Sequence, residues 1–178
     1  MNFSERPIII TDVETTGLNP RLHETIEIGA VKVDHNLLEL DRFDVKVKPY
    51  FIERAEAKAL EINGYNARDW EYALEPWNAT TLFSKFARDG ILCAWNITFE
   101  YGFLEELFRT TQVFNSMDYH RIDIPSIAWA KFPGLDKIGL DAIGARFGLA
   151  PEVKPHRGIN GALYEWEVLY NLLNKGSK

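Results

Sequence analysis

The stretch TDVETTG, residues 11–17, closes an apolar run that begins with PIII at residues 7–10. This pattern predicts a buried strand that ends in a polar turn. Because alternate residues of a strand project from the same face, the carboxylates of Asp12 and Glu14 are expected on one side of the strand end. Hard divalent cations such as Mg²⁺ neutralise gathered carboxylates through oxygen ligands. The alternative is that the two acids only cap the strand and start a turn, and the stretch alone leaves both interpretations open.

The overall composition is typical of a globular protein. The chain has 178 residues, of which 46% are hydrophobic and 26% charged, and this predicts a single domain over residues 1–178. No apolar run reaches the ~18–20 residues of a membrane span, and the N-terminus does not resemble a signal peptide. With one cysteine, we expect a cytoplasmic protein without membrane association. The net charge of -6 argues against broad duplex binding but not against action at a strand end.

The pattern of apolar residues predicts three strands, then two helices, then strands alternating with helices. The predicted strands and helices are, in order, strands 7–15, 24–34 and 40–49, helices 54–62 and 78–90 (the latter capped by Asn78), strand 91–95, helix 98–111, a strand turning into a helix over 121–132, helix 139–148, and helix 162–174 after a loop at 150–158. Short connections between the first three strands favour antiparallel neighbours. The sequence therefore predicts an α/β fold with a mixed five-stranded sheet and helices on both faces.

Two later segments carry further candidate residues. Asn96 and Glu100 lie between a short apolar strand and an aromatic-rich helix, where Glu100 could serve a metal or simply favour the helix dipole. His156 lies in a proline-containing loop before the last helix, and histidine is the side chain best suited to take a proton near neutral pH. The remaining histidines are expected at the surface: His23, His35 and His120.

Taken together, these segments resemble the DEDDh family of 3'–5' exonucleases, which includes the proofreading subunits of replicative polymerases. The first motif of that family, D-x-E-T-T-G, is complete in this chain: Asp12, Glu14, Thr15, Thr16 and Gly17. WNITFEYGFL resembles the second motif, N-x-x-F-D-x-x-F-L, with Glu100 in place of aspartate. HRGINGA resembles the third motif, H-x-x-x-x-D-A, with Gly161 in place of the last catalytic aspartate.

The resemblance implies a ribonuclease-H-like fold and a site for two divalent metal ions, Mg²⁺ or Mn²⁺. Asp12 would bridge both ions, Glu14 and the third-motif aspartate would serve the water-activating ion, and Glu100 the other. His156 would be the general base. The products would be nucleoside 5'-monophosphates, released from the 3' ends of single-stranded DNA or RNA. The family also implies a polymerase or another replication or repair protein as a partner.

Substrate contacts follow from the same resemblance. The main chain of Thr15, Thr16, Gly17 and Leu18 would line the 3'-terminal nucleotide. Asn96 would also bind the substrate. Leu18 and Phe103 could pack against bases, which suits single strands of any sequence. For Phe103, packing in the core is an equally good interpretation.

The two departures from the family motifs affect the expected activity differently. Glu100 keeps the charge of the aspartate, whereas Gly161 removes a metal ligand and predicts a slow enzyme. Glu165 lies one helical turn, about 5.4 Å, further on, so it is expected at the surface or behind the ligands. The alternative function is a catalytically impaired nuclease fold that binds nucleic-acid ends or a protein partner.

Overall fold

One mixed sheet forms the centre of the computed structural model, which describes residues 2–174. Its strands are β1 (Ile8–Thr15), β2 (Thr25–Val33), β3 (Glu39–Lys46), β4 (Ile91–Ala94) and β5 (Arg121–Asp123), arranged in the order β3-β2-β1-β4-β5. The first three strands pair antiparallel, whereas β4 pairs parallel with β1, and β5 parallel with β4. This confirms the predicted five-stranded sheet with an antiparallel start and a parallel continuation.

Helices cover both faces of the sheet, as predicted. They are α1 (Ala57–Asn63), α2 (Pro76–Phe86), α3 (Ile97–Thr111), α4 (Ile124–Lys131), α5 (Leu140–Arg146) and α6 (Gly158–Asn174). Helices α2 and α3 pack against the face that carries Ile9 and Val13, and α4, α5 and α6 pack against the face that carries Ile10 and Val31. Within residues 2–174, no helix is long and apolar enough to cross a membrane.

Two helices begin earlier than the sequence pattern predicts. Helix α2 begins at Pro76 with Glu75 as its cap, and not at Asn78, because the fixed φ of proline suits the first position of a helix. Helix α6 begins at Gly158 and not at residue 162. The earlier start was not predicted, because glycine has a low helix propensity. A Cβ at Gly158 would lie 2.6 Å from the Gly29 nitrogen, so the glycine is needed for close contact between α6 and β2. Tertiary packing outweighs local propensity here.

The short length of β4 creates an opening beside β1. Ile8 pairs with Ile91 and Ile10 with Cys93, and β4 ends one residue later at Ala94. Asp12 is therefore level with the point where the chain leaves the sheet and turns into α3. The opening at this strand end is closed by helices rather than by a neighbouring strand.

Candidate active site

Asp12 projects from β1 toward helix α6. On that helix it packs against Gly161, where an added Cβ would collide with the Asp12 carboxylate. A Cβ at Gly158, one turn earlier, would lie 3.0 Å from the Asp12 main-chain oxygen. The first turn of α6 therefore packs directly on Asp12, and the missing side chain at position 161 leaves the room that the carboxylate occupies.

Three further acids surround this position, and all three are buried. They are Glu14 on β1, Glu100 in the first turn of α3, and Glu165 on α6, which is only 2% exposed. Burial, followed by the charges of Glu14 and Glu100, raises the pKa of Asp12 well above its usual range. Burial and the charge of Glu27 raise the pKa of Glu14 to about 8, and burial raises the pKa of Glu100 to about 8. The cluster thus resists carrying its full negative charge.

Glu100 reaches the cluster from the opposite side of the sheet. Helix α3 packs on the face away from α6, yet the charge of Glu100 acts on both Asp12 and Glu165. This is possible because β4 has already ended at Ala94, so no strand separates the beginning of α3 from Asp12. Glu14 and Glu100 are therefore both near enough to Asp12 for their charges to act on its carboxylate.

The chemistry of these donors fits a hard divalent cation. The Oε2 atoms of Glu100 and Glu165 are buried without a hydrogen-bond partner in the described part of the chain. A buried carboxylate oxygen without a partner is costly, and oxygen ligands are those that Mg²⁺ and Mn²⁺ prefer. Within residues 2–174, no three acidic, histidine or cysteine side chains stand around one point as a finished metal centre.

His156 lies at the edge of this cluster and is paired with a carboxylate. Its Nδ1 is 3.3 Å from Oε2 of Glu152, and its main-chain N–H donates to the carbonyl of Ile62 at 3.1 Å. The charge of Glu152 contributes to the raised pKa values of Asp12 and Glu14, which places the His156–Glu152 pair beside the acids. Sequence reasoning missed Glu152, although its spacing of four residues from His156 was a usable signal.

The turn after β1 is built around His23. This residue was predicted to lie at the surface, but its side chain is largely buried in the turn. The side chain is only 9% exposed, and its Nδ1 accepts a hydrogen bond from the Asn19 N–H at 3.0 Å. Its ring packs against Gly17, where any side chain would collide with it. The expectation was wrong for His23 because the turn folds back over itself; His35 and His120 are exposed, as predicted.

The two threonines of the first motif serve mainly to hold this turn. The Thr16 N–H donates to the Glu24 carbonyl at 2.9 Å, and the Thr16 carbonyl accepts from the Glu56 N–H at 2.8 Å. The Thr15 carbonyl accepts from Nδ2 of Asn63 at 3.0 Å. These main-chain groups hold the turn in place, and their contact with a nucleotide stays a prediction for Thr15 and Thr16.

Of the four other predicted substrate contacts, Leu18 and Asn96 are exposed, whereas Gly17 and Phe103 are buried. Leu18 is 73% exposed beside the turn, and Asn96 is exposed where α3 begins. Phe103 is 1% exposed, and its ring packs 4.8 Å from that of Phe99. Phe103 thus packs in the core, which was one of its two interpretations, and it also lines the pocket beside the turn after β1.

The family of the chain follows from comparison with known proteins. Residues 9–169 match the RNase T family, described as exonucleases, and the chain belongs to this family of DEDD-type 3'–5' exonucleases. Proteins of this family depend on divalent metals.

Among its relatives is the PolC-type DNA polymerase III of Thermotoga maritima, 30% identical over 177 residues, which covers 99% of this chain and 12% of the polymerase. The corresponding enzyme of Streptococcus pneumoniae is 28% identical over 165 residues, covering 85% of this chain and 10% of the polymerase. The chain thus spans a small fraction of the length of these relatives.

Solved structures of exonuclease I share the fold. E. coli exonuclease I in complex with a dT13 oligonucleotide has a TM-score of 0.79 at 12% identity, covering 96% of this chain and 42% of that one. Exonuclease I from Methylocaldum szegediense has a TM-score of 0.78 at 16% identity, covering 96% and 41%. The architecture is therefore ribonuclease-H-like, as the motif resemblance implied.

Proposed function

We propose that this chain is a divalent-metal-dependent 3'–5' exonuclease domain that releases nucleoside 5'-monophosphates from single-stranded 3' ends. The observation that carries the proposal is the convergence of Asp12, Glu14 and Glu100 beside the His156–Glu152 pair, in a chain of the exonuclease family. A purely structural role does not require three acids at the place where β4 ends.

Each residue has a defined task in this proposal. Asp12, Glu14 and Glu100 would hold two ions, Mg²⁺ or Mn²⁺, which when bound activate a water and stabilise charge on the phosphodiester. His156 takes a proton from the attacking water through Nε2, because its Nδ1 faces Glu152. The water oxygen bonds to phosphorus as the bond between phosphorus and the O3' of the preceding nucleotide breaks. O3' takes up a proton from solvent, which leaves a new 3' hydroxyl and a free 5'-monophosphate.

The strand path is proposed to run along a pocket of about 540 Å³ beside the turn after β1. Exposed aromatic residues line it, namely Tyr50, Phe51 and Trp77, together with the cationic side chains of Lys48 and Arg54. The Arg54 guanidinium lies 4.1 Å from the centre of the Phe51 ring. Aromatic and cationic groups in one groove suit single strands of any sequence, since every base can stack. Solved exonuclease I complexes with dT13 and dA16 support a single-stranded substrate.

The N–H groups of Gly17 and Leu18 are proposed to contact the terminal nucleotide. Among the hydrogen bonds of residues 2–174, none uses these two donors. The exposed Leu18 side chain lies beside them, and Asn96 lies at the beginning of α3. In the cell, we propose a cytoplasmic setting and a polymerase or another replication or repair protein as partner, which the PolC-type relatives support.

A digestion assay tests this function against its alternative. Purified chain is incubated with single-stranded DNA and RNA labelled at the 5' end, in Mg²⁺ and in Mn²⁺. The proposal predicts a ladder of progressively shorter labelled strands, formed slowly because Gly161 lacks a carboxylate. Binding of strand ends without any shortening would instead favour the impaired, end-binding nuclease fold.

A further inference from the structure

Helix α6 presents no carboxylate at Gly161, the position that packs on Asp12. The next acid on the same face of the helix is Glu165, four residues later. The sequence placed Glu165 at the surface or behind the ligands, because one turn of helix is about 5.4 Å long. The structure shows that the surface alternative is wrong, since Glu165 is 2% exposed.

The direction of helical side chains shortens this distance. In an α-helix each Cα–Cβ bond leans toward the N-terminus, so a long side chain covers the turn that precedes its own Cα. For Glu165, the preceding turn is the one that contains Gly161. A glutamate here can therefore bring its carboxylate back toward the position of an aspartate at 161. Gly161 has no side chain of its own, and the Asp12 carboxylate lies directly against it.

The surroundings of Glu165 place it within the acid cluster. The charges of Asp12 and Glu100 both raise the pKa of its carboxylate, and the Trp95 main chain just after β4 lowers it. Its Oε2 is buried and has no hydrogen-bond partner in the described residues. No lysine, arginine or histidine pairs with it among residues 2–174. A structural role would be better filled by an apolar side chain of similar volume, because unpaired buried acids destabilise a fold.

We propose that Glu165 supplies the carboxylate that Gly161 lacks and acts as a ligand to a divalent cation that Asp12 also holds. This inference rests on the proposed function. It assigns the lost third-motif ligand to a residue one turn further along the same helix. Glu152 is less suited to this role, because one of its oxygens already pairs with His156.

The test measures metal binding directly and uses a matched control on the same helix. Glu165→Gln removes the charge while keeping the shape, and Glu167→Gln makes the same change on the exposed side of α6. Mn²⁺ affinity is measured by isothermal titration calorimetry and by electron paramagnetic resonance, with circular dichroism as the check on folding. We expect Glu165→Gln to weaken Mn²⁺ binding at least about 10-fold, and Glu167→Gln to leave it unchanged.

A double variant separates a ligand from a structural residue. Gly161→Asp in the Glu165→Gln background returns a carboxylate to the family position. The new side chain would displace the end of the Asp12 side chain, which can rotate, so Mn²⁺ affinity should recover. Folded variants in which affinity does not recover would give Glu165 a structural role and overturn the inference. If Glu165→Gln does not fold, Glu165→Asp keeps the charge but shortens the side chain. Weaker Mn²⁺ binding in that variant supports the inference, and unchanged binding contradicts it.

The outcomes also separate this inference from the proposed function. Wild type that digests strands, together with a Glu165→Gln variant of equal Mn²⁺ affinity, would contradict the ligand role alone. Wild type that neither binds Mn²⁺ nor digests strands would contradict both.

Discussion

Asp12 shows how far single residues could be assigned from the sequence. The alternation of a strand placed Asp12 and Glu14 on one face, and the structure has both on β1 at the opening beside β4. The positions of His23 and Glu152 could not be predicted, because each depends on a loop folding back against a distant element. Periodicity describes one element at a time, so contacts between loops leave little signal in it.

At the scale of single residues, Asp12→Ala should abolish the increase in melting temperature that Mn²⁺ causes, without unfolding the protein. Its carboxylate is disfavoured by burial and by neighbouring acids, so its removal relieves repulsion. The free energy of unfolding without metal should hold or rise by up to about 1 kcal/mol. Thermal melts with and without Mn²⁺ measure both effects, with the exposed Asp136→Ala as control. A normal Mn²⁺-induced shift in Asp12→Ala would count against a metal role.

Glu152 should act through His156, which its carboxylate contacts at 3.3 Å. Glu152→Gln is expected to lower kcat about 10-fold with little change in KM, because it loosens the orientation of the base. His156→Ala should lower kcat further, by about 10²-fold or more. The double variant should be no slower than His156→Ala, since the two residues work as one unit. Additive losses would show that Glu152 has an independent role.

At the scale of elements, helix α6 determines the shape of the site. Its type and its later residues were predicted from the apolar face, but its start at Gly158 was not. Glycines near a helix start weaken the local signal, whereas here they permit backbone contact with β2 and Asp12. That contact is made with residues of the sheet, which are far from α6 in the sequence. The local sequence pattern from which a helix is predicted therefore does not include them.

This contact predicts a large effect of Gly29→Ala. A Cβ at Gly29 would collide with the main chain of Gly158, and backbone atoms cannot move aside as a flexible side chain can. The free energy of unfolding should fall by about 1–3 kcal/mol or more, measured by urea denaturation. Gly139→Ala is the control, since its Cβ would meet nothing within 4 Å, and it should change stability by less than about 0.5 kcal/mol. Equal effects of the two changes would contradict the close packing of α6.

At the scale of the whole molecule, the acid cluster couples folding to pH and to metal. Glu14 and Glu100 have pKa values raised from 4.5 to about 8 in the folded protein. At a pH between 4.5 and about 8, the folded state therefore holds more protons on these two carboxylates than the unfolded state does. The metal-free protein should therefore lose stability as pH rises from about 5 to 8.

Denaturation of the metal-free protein at several pH values in this range measures how steeply the free energy of unfolding falls as pH rises. Glu100→Gln cannot ionise and should flatten it, while saturating Mn²⁺ should oppose the loss, because the cation favours the charged carboxylates. A metal-free stability that rises with pH between 5 and 8 would contradict the arrangement of buried acids.

We propose that these acids serve the removal of nucleotides from a 3' end. This is tested with a single-stranded DNA labelled only on its 3'-terminal nucleotide, digested in Mg²⁺ and in Mn²⁺ by wild type and by Asp12→Ala. We expect wild type to release the label first, as a nucleoside 5'-monophosphate, and Asp12→Ala to release none. Label released within longer fragments, or at equal rates by the two proteins, would contradict it.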